Sequence, residues 1–127
     1  MKFTVIKREG TGGGIGAGAY LMSESAQAPL RSEADVMDVI AAAWEHEVSK
    51  VMLQEQALSD EFFQLRTGLA GYALQKFVNY RIRTAAVISD EAAIQGRARE
   101  MVAELNKGRD FRVFASMDEA EAWLLAD

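Results

Sequence analysis

The chain has 127 residues, half of them hydrophobic, so it can bury the core of one domain without disulfide support. It has no cysteine, which excludes disulfides and thiolate chemistry, and its formal net charge of −5 argues against a general nucleic-acid binder. No apolar run approaches the roughly 18 residues of a membrane span, and residues 1–8 are too short and too charged for a signal peptide. We therefore expect a cytoplasmic protein without nucleic-acid or membrane partners.

The first part of the chain predicts a hairpin, a helix and a buried strand. Residues 3–7 and 15–23 are β-rich and predict two strands that pair across the glycine-rich segment 10–18. A serine with a carboxylate three residues later, at Ser32 and Asp35, has the spacing of a capping box. Apolar residues recur at helical spacing after it, the last being Ala43 and Trp44, and the helix ends near His46. Residues 48–53 then predict a short buried strand.

Two further helical segments and a strand follow. A helical stretch begins at residues 59–61, and a central helix spans residues 67–79. Residues 84–89 are apolar and predict a buried strand. Asp90 has the position of a helix cap, and Gly108 marks the end of the helix that follows.

The chain closes with a strand and a helix. Residues 111–115 predict the last strand, and Ser116 begins a helix that packs through Ala120, Trp123 and Leu124. The resulting order, β-β-α-β-α-β-α-β-α, predicts a single α/β domain over residues 1–127. Its sheet should be small, mixed and mostly parallel, with flanking helices.

The segment GTGGGIGAGA, residues 10–19, has the outline of a nucleotide-binding motif. Gly14, Gly16 and Ala19 satisfy the spacing G-x-G-x-x-A. That motif requires a helix that opens inside it, so that the helix amides meet the pyrophosphate, whereas Ala19 continues into a predicted strand. We interpret the segment as a hairpin turn and expect no cofactor.

The central helix carries two different faces. Its apolar residues recur at spacings of three and four, and a second stripe contains Gly68, Tyr72, Gln75 and Asn79, with Lys76 beside it. Glycine costs about 1 kcal/mol relative to alanine inside a helix, so Gly68 and Gly71 need an explanation. We favour close packing, and the alternative is the close approach of a ligand.

Cationic residues lie at both ends of this helix. Arg66, Thr67 and the open amides at Gly68 would suit a carboxylate or phosphate. Alternation along the next strand would place Arg81 and Arg83 on one side, where they form a basic patch or salt bridges. The candidate binding residues are Arg66, Thr67, Gly68, Gly71, Gln75, Lys76, Asn79, Tyr80 and Arg81.

The stretch FFQLRTGLAGYALQKFVNYR, residues 62–81, resembles the signature of the bacterial family known as domain of unknown function 4180. That signature is F-F-x-L-R-T-G-x-A-G-x-x-x-Q-K-F-x-N-Y-R, and weaker similarity covers most of the chain. The family carries a glutamate after the second glycine, where this chain has Tyr72. The matching positions are Phe62, Phe63, Leu65, Arg66, Thr67, Gly68, Ala70, Gly71, Gln75, Lys76, Phe77, Asn79, Tyr80 and Arg81.

The topology that this resemblance implies is similar to that of STAS domains, the fold of bacterial anti-sigma-factor antagonists. Those regulators are phosphorylated on a serine in the pattern Asp-Ser-x-Gly. The equivalent residues 58–60 and 66–68 do not reproduce that pattern, so we expect no phosphorylation switch.

Few residues suggest catalysis or metal binding. His46 is the only histidine, and without cysteine or a second histidine a zinc site is not expected. We therefore expect a regulatory or binding module, with a protein partner or a small anion bound near Arg66, Thr67 and Gly68. The alternatives are that the motif forms an internal network or a homodimer surface, or that the chain is an enzyme acting on an anionic metabolite.

Overall fold

The computed structural model of the chain describes residues 3–7, 18–23, 30–54, 68–89 and 96–126. These residues form one five-stranded sheet and four helices, and the α/β class is therefore confirmed. The strands are β1 (Phe3–Lys7), β2 (Ala19–Ser23), β3 (Lys50–Leu53), β4 (Arg83–Val87) and β5 (Phe111–Phe114). The helices are α1 (Glu33–Glu45), α2 (Leu69–Asn79), α3 (Arg97–Leu105) and α4 (Met117–Leu125).

The strands lie in the sheet in the order in which they occur in the chain, β1-β2-β3-β4-β5. β1 is antiparallel to β2 at one edge, and the other three pairings are parallel. The predicted hairpin and the mostly parallel sheet are both confirmed. Ala19 begins β2, as the hairpin interpretation of the glycine-rich segment requires, although residues 8–17 lie outside the described part.

Local capping explains where two of the helices begin. The Ser32 hydroxyl accepts a hydrogen bond from the backbone N–H of Asp35, and the Asp35 carboxylate accepts one from Ser32, which completes the predicted capping box. Ser116 caps α4 by accepting from the N–H of Glu119. Each cap satisfies amides that have no partner inside the helix.

One predicted helix does not run unbroken through the structure. The sequence predicts a helix capped by Asp90, whereas α3 begins at Arg97. Gly96, at φ +63° and ψ −134°, is outside helical backbone geometry and separates α3 from what precedes it. Asp90 and the helical stretch predicted at residues 59–65 lie outside the described residues.

The two faces of the sheet carry two separate cores. On one face, α1, α2 and α3 cover the larger core, which includes Val39, Phe77 and Leu105. On the other face, the smaller core contains Tyr20 and Met52 together with residues of α4 such as Ala120 and Leu124. The candidate residues of α2 therefore belong to the face that carries three helices.

Candidate functional site

Gly68 is the N-cap of α2, and its backbone conformation explains why a glycine stands there. Its φ is +64°, in the left-handed region that other residues enter only at a cost. No described atom lies within 4 Å of a Cβ built on it, so packing against the described residues is not the reason. Arg66 and Thr67 lie outside the described residues. The anion site predicted at these three residues therefore stays a prediction.

Gly71 lies in the first turn of α2, is exposed and has ordinary helical geometry, so its backbone conformation does not explain why a glycine stands there. Nothing among the described residues comes within 4 Å of a Cβ placed there. The packing that we favour from the sequence is therefore not found at this position. Gly71 instead borders a groove between α2 and α3.

The polar residues of α2 differ in their exposure: the amide side chains lie at the surface, whereas Tyr72 and Lys76 are half-buried. Gln75 and Asn79 are exposed, which argues against an internal hydrogen-bond network through them. The Lys76 ammonium lies 5.5 Å from the centroid of the Tyr72 ring, a cation–π contact, and both residues are half-buried. Lys76 is thus held against its own helix.

The C-terminal ends of α1 and α2 lie side by side and expose an aromatic pair. The rings of Trp44 and Tyr80 meet edge to face with their centroids 5.6 Å apart. Trp44 is nevertheless 65% exposed and Tyr80 is 37% exposed. We call Trp44, Tyr80 and the two charged residues that follow their helices, Glu47 and Arg81, the aromatic corner.

At the end of α1 the backbone forms a Schellman motif. The N–H of Val48 donates to the carbonyl of Ala43 over 2.9 Å, and the N–H of Glu47 donates to Trp44 over 3.1 Å. This motif requires a left-handed residue after the cap, and Glu47 has φ +58°. Glycine is the usual residue at such a position, so a glutamate there is unusual.

The end of α2 repeats the same geometry. The N–H of Ile82 donates to Phe77 over 2.8 Å, and the N–H of Arg81 donates to Val78 over 3.1 Å. Arg81 has φ +56° and is exposed. Two neighbouring helix ends thus hold residues of opposite charge in the same strained conformation.

The expectation that strand alternation places Arg81 and Arg83 on one side is wrong. Arg81 lies in the turn, so strand alternation begins only at Arg83. The Arg83 guanidinium stands 5.1 Å from the Trp123 ring, and its Nη1 donates to the carbonyls of Trp123 (3.2 Å) and Ala126 (2.9 Å). Arg83 therefore binds the end of α4 on the opposite face of the sheet.

Sequence reasoning placed Trp44 on the apolar face of α1 and did not mark Glu47. Trp44 follows the fully buried Ala43 and points away from the core. A signal was nevertheless present in the sequence. The apolar residues of α1 up to Ala43 already form a complete buried face, so the additional large side chain of Trp44 could have been expected at the surface. The left-handed conformation of Glu47 could not be predicted from the sequence, because only glycine commonly indicates such a backbone conformation.

Other site classes find no support in the part of the chain that the structure describes. There, no group of three histidine, aspartate or glutamate side chains could hold a metal ion. The described helices are also too short or too polar to cross a membrane. His46 is the exposed C-cap of α1.

Comparison with known proteins identifies a family. No curated protein matches the chain, and no solved structure matches it. The family model described as "Domain of unknown function (DUF4180)" matches residues 16–124, a range that begins before β2 and includes every later strand and helix except the last residue of α4. The chain belongs to the DUF4180 family.

Proposed function

We propose that the chain is a protein-binding module and that its aromatic corner binds a second copy of the chain. The observation that carries this proposal is the exposure of Trp44, 65%, beside the half-exposed ring of Tyr80. Tryptophan, tyrosine and arginine are the residues that most often dominate the binding energy of protein interfaces. The corner contains all three.

The backbone of the corner supports a role for its charges. A left-handed conformation costs a residue other than glycine about 1–2 kcal/mol, yet the chain keeps Glu47 and Arg81 in it. Strain of this kind is often found at functional positions. Among the described residues neither side chain forms an ion pair, so both charges are available to a partner.

The arrangement of these charges favours a second copy as the partner. The two turns are neighbours, because the N–H of Arg83 donates to the carbonyl of Ser49 over 2.9 Å. A two-fold axis through the aromatic pair would place Glu47 of each copy opposite Arg81 of the other. In such an interface the same patch of each copy faces the other, and its charges are complementary.

The other expectations from the sequence stay predictions. They are the regulatory role, the STAS-like fold and the bacterial source that the resemblance implies, and the cytoplasmic location that the composition implies. The anion site at Arg66, Thr67 and Gly68 also stays a prediction. Gln75, Lys76 and Asn79 lie on α2, whose C-cap is Tyr80, and would border the interface.

Sedimentation velocity over a range of protein concentrations tests the proposal. We expect a monomer–dimer equilibrium that Trp44→Ala weakens roughly 30-fold or more, since a central interface residue contributes about 2 kcal/mol. Met117, which is 43% exposed on α4, supplies the matched control, and Met117→Ala should leave the equilibrium unchanged. A wild-type chain that stays monomeric overturns the proposal, and so does an equal effect of the two substitutions.

A charge exchange tests the symmetry of the interface. Glu47→Arg alone and Arg81→Glu alone should each weaken the dimer, because each places like charges opposite one another. The double variant should restore it, since the pairs are re-formed with their signs exchanged. Failure of the double variant to recover would contradict the two-fold arrangement.

A further inference from the structure

We infer that the groove between α2 and α3 binds a small organic cation with an apolar body. This groove lies on the side of α2 that faces α3, whereas the aromatic corner lies between α2 and α1. The inference is therefore independent of the proposed dimer. It rests on the shape of the groove, on Gly71 at its rim and on the charge of the residues that line it.

The shape and lining of the groove fit a small molecule. Its volume is about 380 Å³, at the lower end of the range for ligand pockets, roughly 300–1,000 Å³. Leu74 and Val78 of α2 form one wall, and Met101 and Leu105 of α3 form the other. Phe111 of β5 also lines it. Burial of an apolar body here would remove the exposed surface of Val78, which is 43% exposed.

Gly71 keeps the groove open. A glycine inside a helix costs about 1 kcal/mol relative to alanine, and its φ is not in the left-handed region that would require it. Because no described atom lies within 4 Å of a Cβ at this position, an alanine would fit the free protein. The glycine is explained if an occupant of the groove approaches the backbone of α2 at this point.

Among the residues that the structure describes, the two charged ones that line the groove are both carboxylates, Glu104 and Asp110. The Lys107 ammonium lies 3.1 Å from Glu104, but the two side chains are 72% and 75% exposed, so this ion pair is weak and a ligand can displace it. The nearby Arg112 is engaged elsewhere, because its Nε donates to the carbonyl of Gly108 over 2.7 Å and its guanidinium stands over Trp123. The groove therefore offers apolar walls and a negative rim.

Two probe compounds distinguish the contribution of the negative rim from that of the apolar walls. Benzylamine is a cation at neutral pH, and benzyl alcohol is its neutral counterpart. In a titration followed by ¹H–¹⁵N NMR, benzylamine should shift the amide signals of Gly71 and Gly108. Benzyl alcohol should bind roughly tenfold more weakly, a difference of about 1.4 kcal/mol. Equal affinities for the two compounds overturn the inference, and so do benzylamine shifts confined to other parts of the molecule.

Substitutions at the rim test each step of the argument. Gly71→Leu should abolish the benzylamine shifts by filling the groove, while the rest of the spectrum reports an intact fold. Asp110→Asn should weaken binding, and Lys107→Ala should strengthen it because Glu104 is freed. Trp44→Ala should leave binding unchanged. Benzylamine binding that survives Gly71→Leu, or that does not respond to Lys107→Ala and Asp110→Asn, contradicts the assignment.

Discussion

Gly68 and Gly71 stand three residues apart, and their backbone conformations predict opposite effects of the same substitution. Gly68→Ala should lower the free energy of unfolding by about 1–2 kcal/mol, because alanine must adopt a φ of +64°. Gly71→Ala should raise it by about 0.5–1 kcal/mol, since the site is helical and the added methyl meets no described atom. Urea unfolding of the two variants measures both. The same sign for both would show that the φ difference is not what distinguishes them.

The strained residues of the aromatic corner lead to a prediction of the same kind. Glu47→Gly and Arg81→Gly should each stabilise the dilute protein by about 0.5–1 kcal/mol, because glycine adopts φ near +57° without the steric cost but loses more chain entropy. Glu47→Gln is the control, since it removes the charge and keeps the strain. Thermal unfolding should rank the glycine variant above the glutamine variant. The reverse order would mean that the glutamate side chain stabilises the turn.

At the scale of the element, α4 depends on an arginine from a neighbouring strand. Arg83→Gln should lower the free energy of unfolding by about 1.5–3 kcal/mol, because a charged donor to two carbonyls at the end of α4 is lost. Arg81→Gln, two residues earlier and exposed, should change stability by less than about 0.5 kcal/mol. Chemical denaturation of the two variants makes the comparison. Equal losses would contradict the role assigned to Arg83.

The elements that sequence predicted best are those set by local chemistry. The capping box at Ser32 and Asp35 determines the start of α1 through bonds within four residues, so its pattern is visible in the sequence. The end of α2 at Asn79 was also predicted, but the left-handed turn at Arg81 was not, because that turn is imposed by the packing of Ile82 into the core. The partner of Arg83 was not predictable either, since Trp123 is far away in the chain.

At the scale of the whole molecule, connectivity explains why three helices share one face. α1, α2 and α3 each connect parallel strands that are neighbours in the sheet, and right-handed crossovers place such helices on the same side. α4 follows the last strand and is not a crossover, so this rule does not fix its side. Its position is set instead by the apolar residues that the sheet presents there, among them Tyr20 and Met52.

The contact that joins the two ends of the chain gives the last prediction. The Tyr20 hydroxyl of β2 donates a 2.6 Å hydrogen bond to the carboxylate of Glu121 on α4, 101 positions later. Tyr20 is buried, so Tyr20→Phe removes a charge-assisted bond and should lower the free energy of unfolding by about 1.5–3 kcal/mol. Tyr72→Phe, on a half-buried tyrosine of α2, is the matched control and should have little effect.

A double-mutant cycle with Glu121→Gln separates this bond from the other contacts of the two side chains. If the hydroxyl and the carboxylate act on each other, the loss in the double variant should be smaller than the sum of the single losses by about 1 kcal/mol. Strict additivity would mean that the bond does not couple β2 to α4. Apolar packing around Met52, Ala120 and Leu124 would then hold α4 to β2 more than this bond does.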